Sequence, residues 1–180
     1  DPCCGSGTIA IEAAQIACGI APGLKRRFAF ERLLPYATPD MRALMQRLKS
    51  QAQSRVHAPA VPISASDVSF RMLDFARRNA ERAGVAQVID FHGGDALERS
   101  PPALPAGLPG TLMLNPPYGE RIEVAGKAAR PSAEDRDTPS DFFPRLAAHW
   151  KRAYTQHPAG WTAWILSPDM KLPGAMRLKA

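Results

Sequence analysis

The chain has 180 residues, 45% hydrophobic and 22% charged, which suits one soluble globular domain and excludes a disordered polymer. Lys and Arg number 23 against 17 Asp and Glu, leaving a formal charge of +6 and a pI of about 9.6. That balance favours a polyanion such as nucleic acid as partner, although ordinary solubility charge reaches the same value. No apolar run is long enough to span a bilayer and no signal peptide is visible. Cys3, Cys4 and Cys18 fit neither a disulfide framework nor a zinc spacing. No metal site and no membrane contact are therefore expected, and a reducing, cytoplasmic compartment is the default.

Taken in chain order, residues 5–18 read as a helix behind a glycine turn, and 19–37 as a loop carrying Lys25, Arg26 and Arg27 with Phe28 and Phe30. Thr38-Pro39-Asp40 is a helix start, and Met41, Leu44, Met45 and Leu48 give the helix over 39–54 an apolar face. A short strand over 61–66 ends at Asp67. The helix over 69–83 should turn Phe70, Leu73, Ala76 and Ala80 inward and Arg71, Arg78 and Arg82 outward, with Gly84 closing it. Residues 87–91 form the next strand and lead into Gly93-Gly94-Asp95. A proline-rich loop over 98–110 precedes the apolar strand 111–114. Residues 126–140 are polar. A helix over 141–155, a strand over 161–166 and a short helix within 168–180 complete the series. Strands that alternate with helices and are apolar on both faces predict an α/β fold with a parallel sheet covered on each side.

Four segments then fall at the carboxyl ends of successive strands, where an open parallel sheet binds its ligands. In Asp1-Pro2-Cys3-Cys4-Gly5-Ser6-Gly7 the glycines let backbone pass close to a ligand at a helix N-terminus. Gly5-x-Gly7-x-x-Ala10 alone also fits a dinucleotide fingerprint, or a plain strand-to-helix turn. Asp67 can accept both hydroxyls of a ribose, yet it lies 60 residues beyond Gly7 and, by itself, reads more simply as the N-cap of the helix 69–83. Asp95, in Gly94-Asp95-Ala96, can accept from an adenine amine or merely form a turn. Asn115-Pro116-Pro117-Tyr118 decides the matter. Two prolines stiffen the arc, Asn115 and the adjacent carbonyl accept from an exocyclic NH2, and Tyr118 can stack on a base.

These residues resemble the class I S-adenosylmethionine-dependent methyltransferases, and more narrowly the THUMP-associated large-subunit ribosomal RNA guanine-N2 methyltransferases. The matching stretches are DPCCGSG at 1–7 running into TIAIEAAQIA, IAPGLKRRFAFE at 20–31, SASD at 64–67, ARRNAERAG at 76–84 and NPPYGER at 115–121. The resemblance spans nearly the whole chain and implies a partial catalytic domain over 1–180. It implies a Rossmann-like class I sheet flanked by helices and truncated at both ends, with its first strand and its closing strands missing. S-adenosylmethionine is the implied cofactor, and ribosomal RNA the implied partner.

By the same resemblance Asp1, Gly5 and Gly7 hold the methionine part, with Cys3 standing where many relatives have Met. Asp67 binds the ribose, Asp95 with Ala96 the adenine edge, and Asn115, Pro116, Pro117 and Tyr118 the target base. The expected reaction is direct methyl transfer to a base nitrogen, most simply guanine N2, in an unpaired or flipped nucleotide. Lys25, Arg26, Arg27, Arg121, Lys127 and Arg130 are expected to flank the pocket and meet phosphates. Rival readings are an adenine-N6 DNA methyltransferase, a protein glutamine methyltransferase, a nicotinamide-dependent dehydrogenase and a non-catalytic RNA-binding module. The chain opens in mid-motif. The resemblance therefore predicts a fragment that lacks a central strand and an upstream RNA-binding domain, and that is aggregation-prone alone.

Overall fold

A computed structural model describes residues 1–105, 107–116, 142–167, 169 and 171–177. The elements in order are α1 (Thr8–Ala17), α2 (Pro39–Gln53), β1 (Ile63–Asp67), α3 (Phe70–Ala83), β2 (Ile89–Gly93), β3 (Gly110–Leu114), α4 (Phe142–Ala153), β4 (Trp161–Ile165) and α5 (Leu172–Met176). Short 3-10 turns occupy Ala29–Arg32, Leu34–Ala37 and Ala86–Val88. The region read as loop over 19–37 thus contains two turns of helix.

Local chemistry sets the helix ends. Thr38 Oγ1 accepts from the Met41 N–H at 3.4 Å with Pro39 opening α2, and Ser69 Oγ accepts from the Met72 N–H at 3.4 Å at the start of α3. Gly84 ends α3 with φ 78°, a left-handed conformation that glycine reaches without strain. The N-cap of α3 is therefore Ser69, not Asp67. The carboxylate lies two residues too early to reach the first turn and does other work described below.

All described strand pairs are parallel. β1 pairs with β2, Ile63 opposite Ile89 and Asp67 opposite Gly93; β3 pairs with β4, Gly110 opposite Trp161 and Leu114 opposite Ile165. On its other side β1 meets the first residues of the chain. The Asp1 nitrogen donates to Ser64 O, the Ser66 N–H to Asp1 O, and the Cys4 N–H to Ser66 O, each at 2.9 Å. The two bonds of Asp1 are those of parallel neighbours, with Asp1 opposite Ala65, while the third comes one residue late, from Cys4, because the Cys3 N–H turns to Asp1 Oδ1.

Two core clusters follow from the helix stripes. Leu73, Ala76 and Ala80 of α3 close on Ala10 and Ala14 of α1, over Ala65 and Ile89. The small side chains let the helices approach closely. Leu146, Ala147 and Trp150 of α4 cover Leu112 and Leu114, with Tyr154, Leu172 and Met176 closing the far side.

Two expectations about burial need correcting. Phe70 is 78% exposed: it is the first residue of α3 and reaches over the Gly93 backbone at the sheet edge instead of into the core. The strands are not covered on both faces by described residues. β3 alternates, with Leu112 and Leu114 buried and Met113 exposed, and Trp164 of β4 is 61% exposed. The apolar face of α2 likewise contributes no buried residue.

Candidate functional site

The glycine loop is shaped from within and tied from without. Gly5 and Gly7 have φ values of 52° and 88°, and the Gly7 N–H donates to Cys4 O at 2.8 Å. A Cβ on Gly7 would stand 3.0 Å from Ala76 Cβ and 3.2 Å from its Cα, so glycine is required here by conformation and by space. The Gly5 N–H donates to Asp67 Oδ2 at 2.9 Å, while Asp67 Oδ1 accepts from the Ser69 N–H at 2.8 Å. Asn79, in mid-α3, donates through Nδ2 to Ser6 O at 2.8 Å. Asp67 and Asn79 hold the loop from two elements. The sequence offers a signal for Asn79 only in retrospect: a polar residue beside the inward stripe Ala76–Ala80.

The strand ends converge. The Gly94 N–H donates to Asp67 O at 3.1 Å, joining the segment after β2 to the end of β1. Asp95 forms a turn, Oδ1 accepting from the Leu97 N–H at 2.9 Å and its carbonyl accepting from the Glu98 and Arg99 N–H groups. That turn is pinned to α4, because Arg99 O accepts from the Tyr154 hydroxyl at 3.2 Å and from His149 Nε2 at 2.8 Å. A carbonyl only accepts, so Nε2 carries the proton there. Neither anchor was anticipated from sequence.

Cys3 packs on the cluster that holds Leu112, Leu114 and Ala96. Burial first, and then the charges of Asp67 and Asp95, push its thiol up to about 12; burial and Asp67 raise Cys4 to about 11. Both are neutral thiols, without the thiolate character of a nucleophile. Ala96 is buried in the core. Asn115 follows β3 and is exposed, with no side-chain hydrogen bond among the described residues, and Pro116 behind it is fully buried. The proline therefore anchors the segment on which Asn115 is presented. Pro117 and Tyr118 lie outside the described residues, as do Arg121, Lys127 and Arg130.

Lys25 departs from expectation. Its ammonium lies against Gly84 at the end of α3, eight residues (about 12 Å of helix) beyond Ala76, where Gly7 packs. A loop that follows a helix leaves the sheet at the edge opposite a loop that follows a strand. Lys25 follows α1 and so does not flank the pocket.

Beyond Gly7 no side chain caps α1, so its leading N–H groups are available to a carboxylate. A Cβ on Gly5 would meet only the Met72 terminal methyl, at 4.0 Å, and one on Gly94 nothing within 4 Å, so space flanks both. Asp67 ends β1 and Asp95 follows its parallel partner β2, while Asn115 follows β3 of the second parallel pair; parallel strands alternating with helices give the Rossmann-like arrangement of a methyltransferase. The chain belongs to the RMKL-like methyltransferase domain family, which it matches over residues 1–180. This decides against the nicotinamide-dependent dehydrogenase that Gly5, Gly7 and Ala10 alone left open.

Among its relatives are proteins named ribosomal RNA large subunit methyltransferase K/L. That of Shewanella loihica is 35% identical, and that of Shewanella pealeana 36%, each over 181 residues covering 100% of this chain and 23% of the relative. The chain thus spans about a quarter of their length. Among solved structures, SMU.472, described as a putative methyltransferase and crystallised in complex with SAH, superposes with a TM-score of 0.74 at 28% identity, over 100% of this chain and 42% of that one. A possible methylase from Clostridium difficile 630 gives 0.75 at 29% identity, again over 100% of this chain and 42% of the other. A protein described as a predicted N6-adenine-specific DNA methylase from Listeria monocytogenes gives 0.72 at 26%, over 100% and 41%.

Proposed function

We propose that this chain is part of an enzyme that methylates the exocyclic amine of an RNA base, guanine N2 of large-subunit ribosomal RNA, using S-adenosylmethionine. The observation that carries the reading is the Asp67-tethered glycine loop, whose Cys3 packs on the cluster holding Leu112 and Leu114 of β3, the strand that leads to exposed Asn115. The names of the K/L relatives support ribosomal RNA as the substrate, and the SAH in SMU.472 supports the cofactor.

When bound, S-adenosylmethionine supplies a methyl group activated by its sulfonium. Asp1, Gly5, Gly7 and the start of α1 hold its methionine part, Asp67 its ribose, and Asp95 beside Cys3 and Ala96 its adenine. Each oxygen of Asp67 has a second acceptor direction beyond its bond to Gly5 or Ser69. Asn115 accepts a hydrogen bond from the target amine and turns the nitrogen lone pair toward the methyl group. Pro116, held in the core, and Pro117 keep that acceptor fixed, and Tyr118 stacks on the base. Positioning and hydrogen bonding do the catalytic work.

Nucleosides from ribosomal RNA of a strain lacking the full-length gene, measured by mass spectrometry, should lose N2-methylguanosine and regain it on complementation. Loss of N6-methyladenosine from DNA instead would support the adenine reading and overturn this one.

A further inference from the structure

The chain's excess positive charge is not spread over its surface. Between Gly19 and His57 stand eight Lys and Arg and two acids, a net of +6; the rest of the chain has fifteen of each and is neutral. This segment holds α2 and two of the 3-10 turns. No residue of α2 is buried, so its composition is not dictated by the core.

The segment is built as a groove. Two cavities, of about 420 and 700 Å³, lie side by side with Tyr36 and Arg42 lining both. Along one, Arg42, Gln46, Lys49 and Gln53 face the space from a single stripe of α2, with Lys25 at its rim; Arg27 and Arg32 line the other. Several cations are held in place before any partner arrives. Arg42 Nη2 donates to Ala37 O at 2.8 Å, Lys49 Nζ meets Glu31 Oε1 at 3.3 Å, and Arg26 and Lys49 lie 5.5 and 5.8 Å from the centre of the Phe28 ring. Phe28 in turn stacks on Phe30, whose edge meets Tyr36. Cations fixed by rings and carbonyls lose little freedom on meeting an anion.

We infer that this groove grips the phosphodiester backbone of the RNA substrate, away from the nucleotide being methylated. The inference rests on the RNA reading above and adds a second contact region to it. Charge complementarity selects the occupant: a groove bearing the chain's whole charge excess, lined by guanidinium, ammonium and amide donors, matches a string of phosphates. Its placement assigns the role. Lys25 lies at the Gly84 end of α3, so RNA held here is a flank of the substrate, not the target base.

The test uses the full-length protein and ribosomal RNA. In the triple variant Arg32→Gln, Arg42→Gln, Lys49→Gln, the plot of log binding constant against log salt should become shallower by about 2 units, at about 0.7 per lost phosphate contact. Affinity should fall at least tenfold. Glu31→Gln, which removes the acid facing these cations, should act in the opposite direction. Cofactor affinity, measured by calorimetry, should match the unaltered protein in both and verifies the fold. A short oligonucleotide carrying only the target site should be methylated equally well by all of them, while KM for long RNA rises in the triple variant alone. An unchanged salt slope in the triple variant, with cofactor binding intact, overturns the inference. Loss on the short oligonucleotide equal to that on long RNA overturns it too. Absence of methyl transfer to any RNA by the unaltered protein counts instead against the proposed function, and the salt slopes still decide the groove.

Discussion

The Gly5 N–H points at Oδ2 of Asp67, 2.9 Å away and 62 residues later in the chain. The other carboxylate oxygen takes the Ser69 N–H at 2.8 Å. One side chain at the end of β1 thus fixes both the turn before α1 and the start of α3. Bonds to a charged acceptor are about twice as strong as neutral ones, so the loop is held in shape whether or not a cofactor is present.

Asp67→Ala should therefore do two things in the full-length protein. It should weaken S-adenosylmethionine binding by about 1.5–3 kcal/mol, as for loss of hydrogen bonds to a charged group, and lower stability by at most about 1–3 kcal/mol for each of the half-buried Gly5 and Ser69 N–H groups left unpaired. Calorimetry and chemical denaturation read the two separately. Unchanged cofactor affinity would leave Asp67 a purely structural residue.

Gly7→Ala should destabilise by more than the 1–2 kcal/mol that a left-handed conformation costs a residue bearing Cβ, because the new methyl would also stand 3.2 Å from the Ala76 backbone and 3.0 Å from its Cβ. Adding Ala76→Gly should recover part of the loss, the contact but not the backbone strain. Urea denaturation of single and double variants measures the coupling. Strict additivity would mean that α3 does not press on the loop.

Asn115→Ala should lower kcat by about 10²–10³-fold, the range for one transition-state hydrogen bond, with cofactor affinity little altered. Tyr118→Ala should act largely through KM and Tyr118→Phe should be nearly silent. Full turnover in Asn115→Ala would end the amine-methylation reading.

The two buried thiols predict an alkaline limit. Their folded values, about 12 for Cys3 and about 11 for Cys4, lie above the ordinary 9.0. The folded state therefore keeps protons that the unfolded chain releases. Stability is intact below about pH 9 and declines as pH rises toward 12. Melting temperature followed from pH 7 to 11 should fall less steeply in Cys3→Ala than in the parent. At pH 8 the pair should resist iodoacetamide until the protein unfolds; rapid alkylation of the folded protein would mean that the site opens.

Much of this was readable in the residues. Period and turn chemistry located every described strand to within two residues, and Thr38 and Gly84 marked helix ends where they stand. The errors share a cause. Asp67 reads as an N-cap because a sequence shows only neighbours such as Ser69, and its second partner, Gly5, is 62 residues away. Phe70 reads as core by periodicity, yet the first turn of a helix at a sheet edge has little to pack on. Lys25 reads as a pocket residue because it is a basic residue in a loop, although crossing a helix carries the chain away from the strand ends. Asn79, His149 and Tyr154 bind backbone carbonyls of distant loops, and such bonds leave no periodic mark.

His57 donates its N–H to Cys18 O at 2.9 Å. The 38 residues between leave and rejoin the fold through one pinched doorway, with α2 supplying nothing to the interior. Lengthening such an excursion is cheap, since doubling a flexible loop costs only about 0.6 kcal/mol in closure entropy. The cofactor machinery and the excursion can then drift at different rates in evolution. Descendants of one catalytic core could come to handle different substrates by rewriting this stretch alone, and a laboratory chimera that swaps it at Cys18 and His57 should fold with the host's melting temperature.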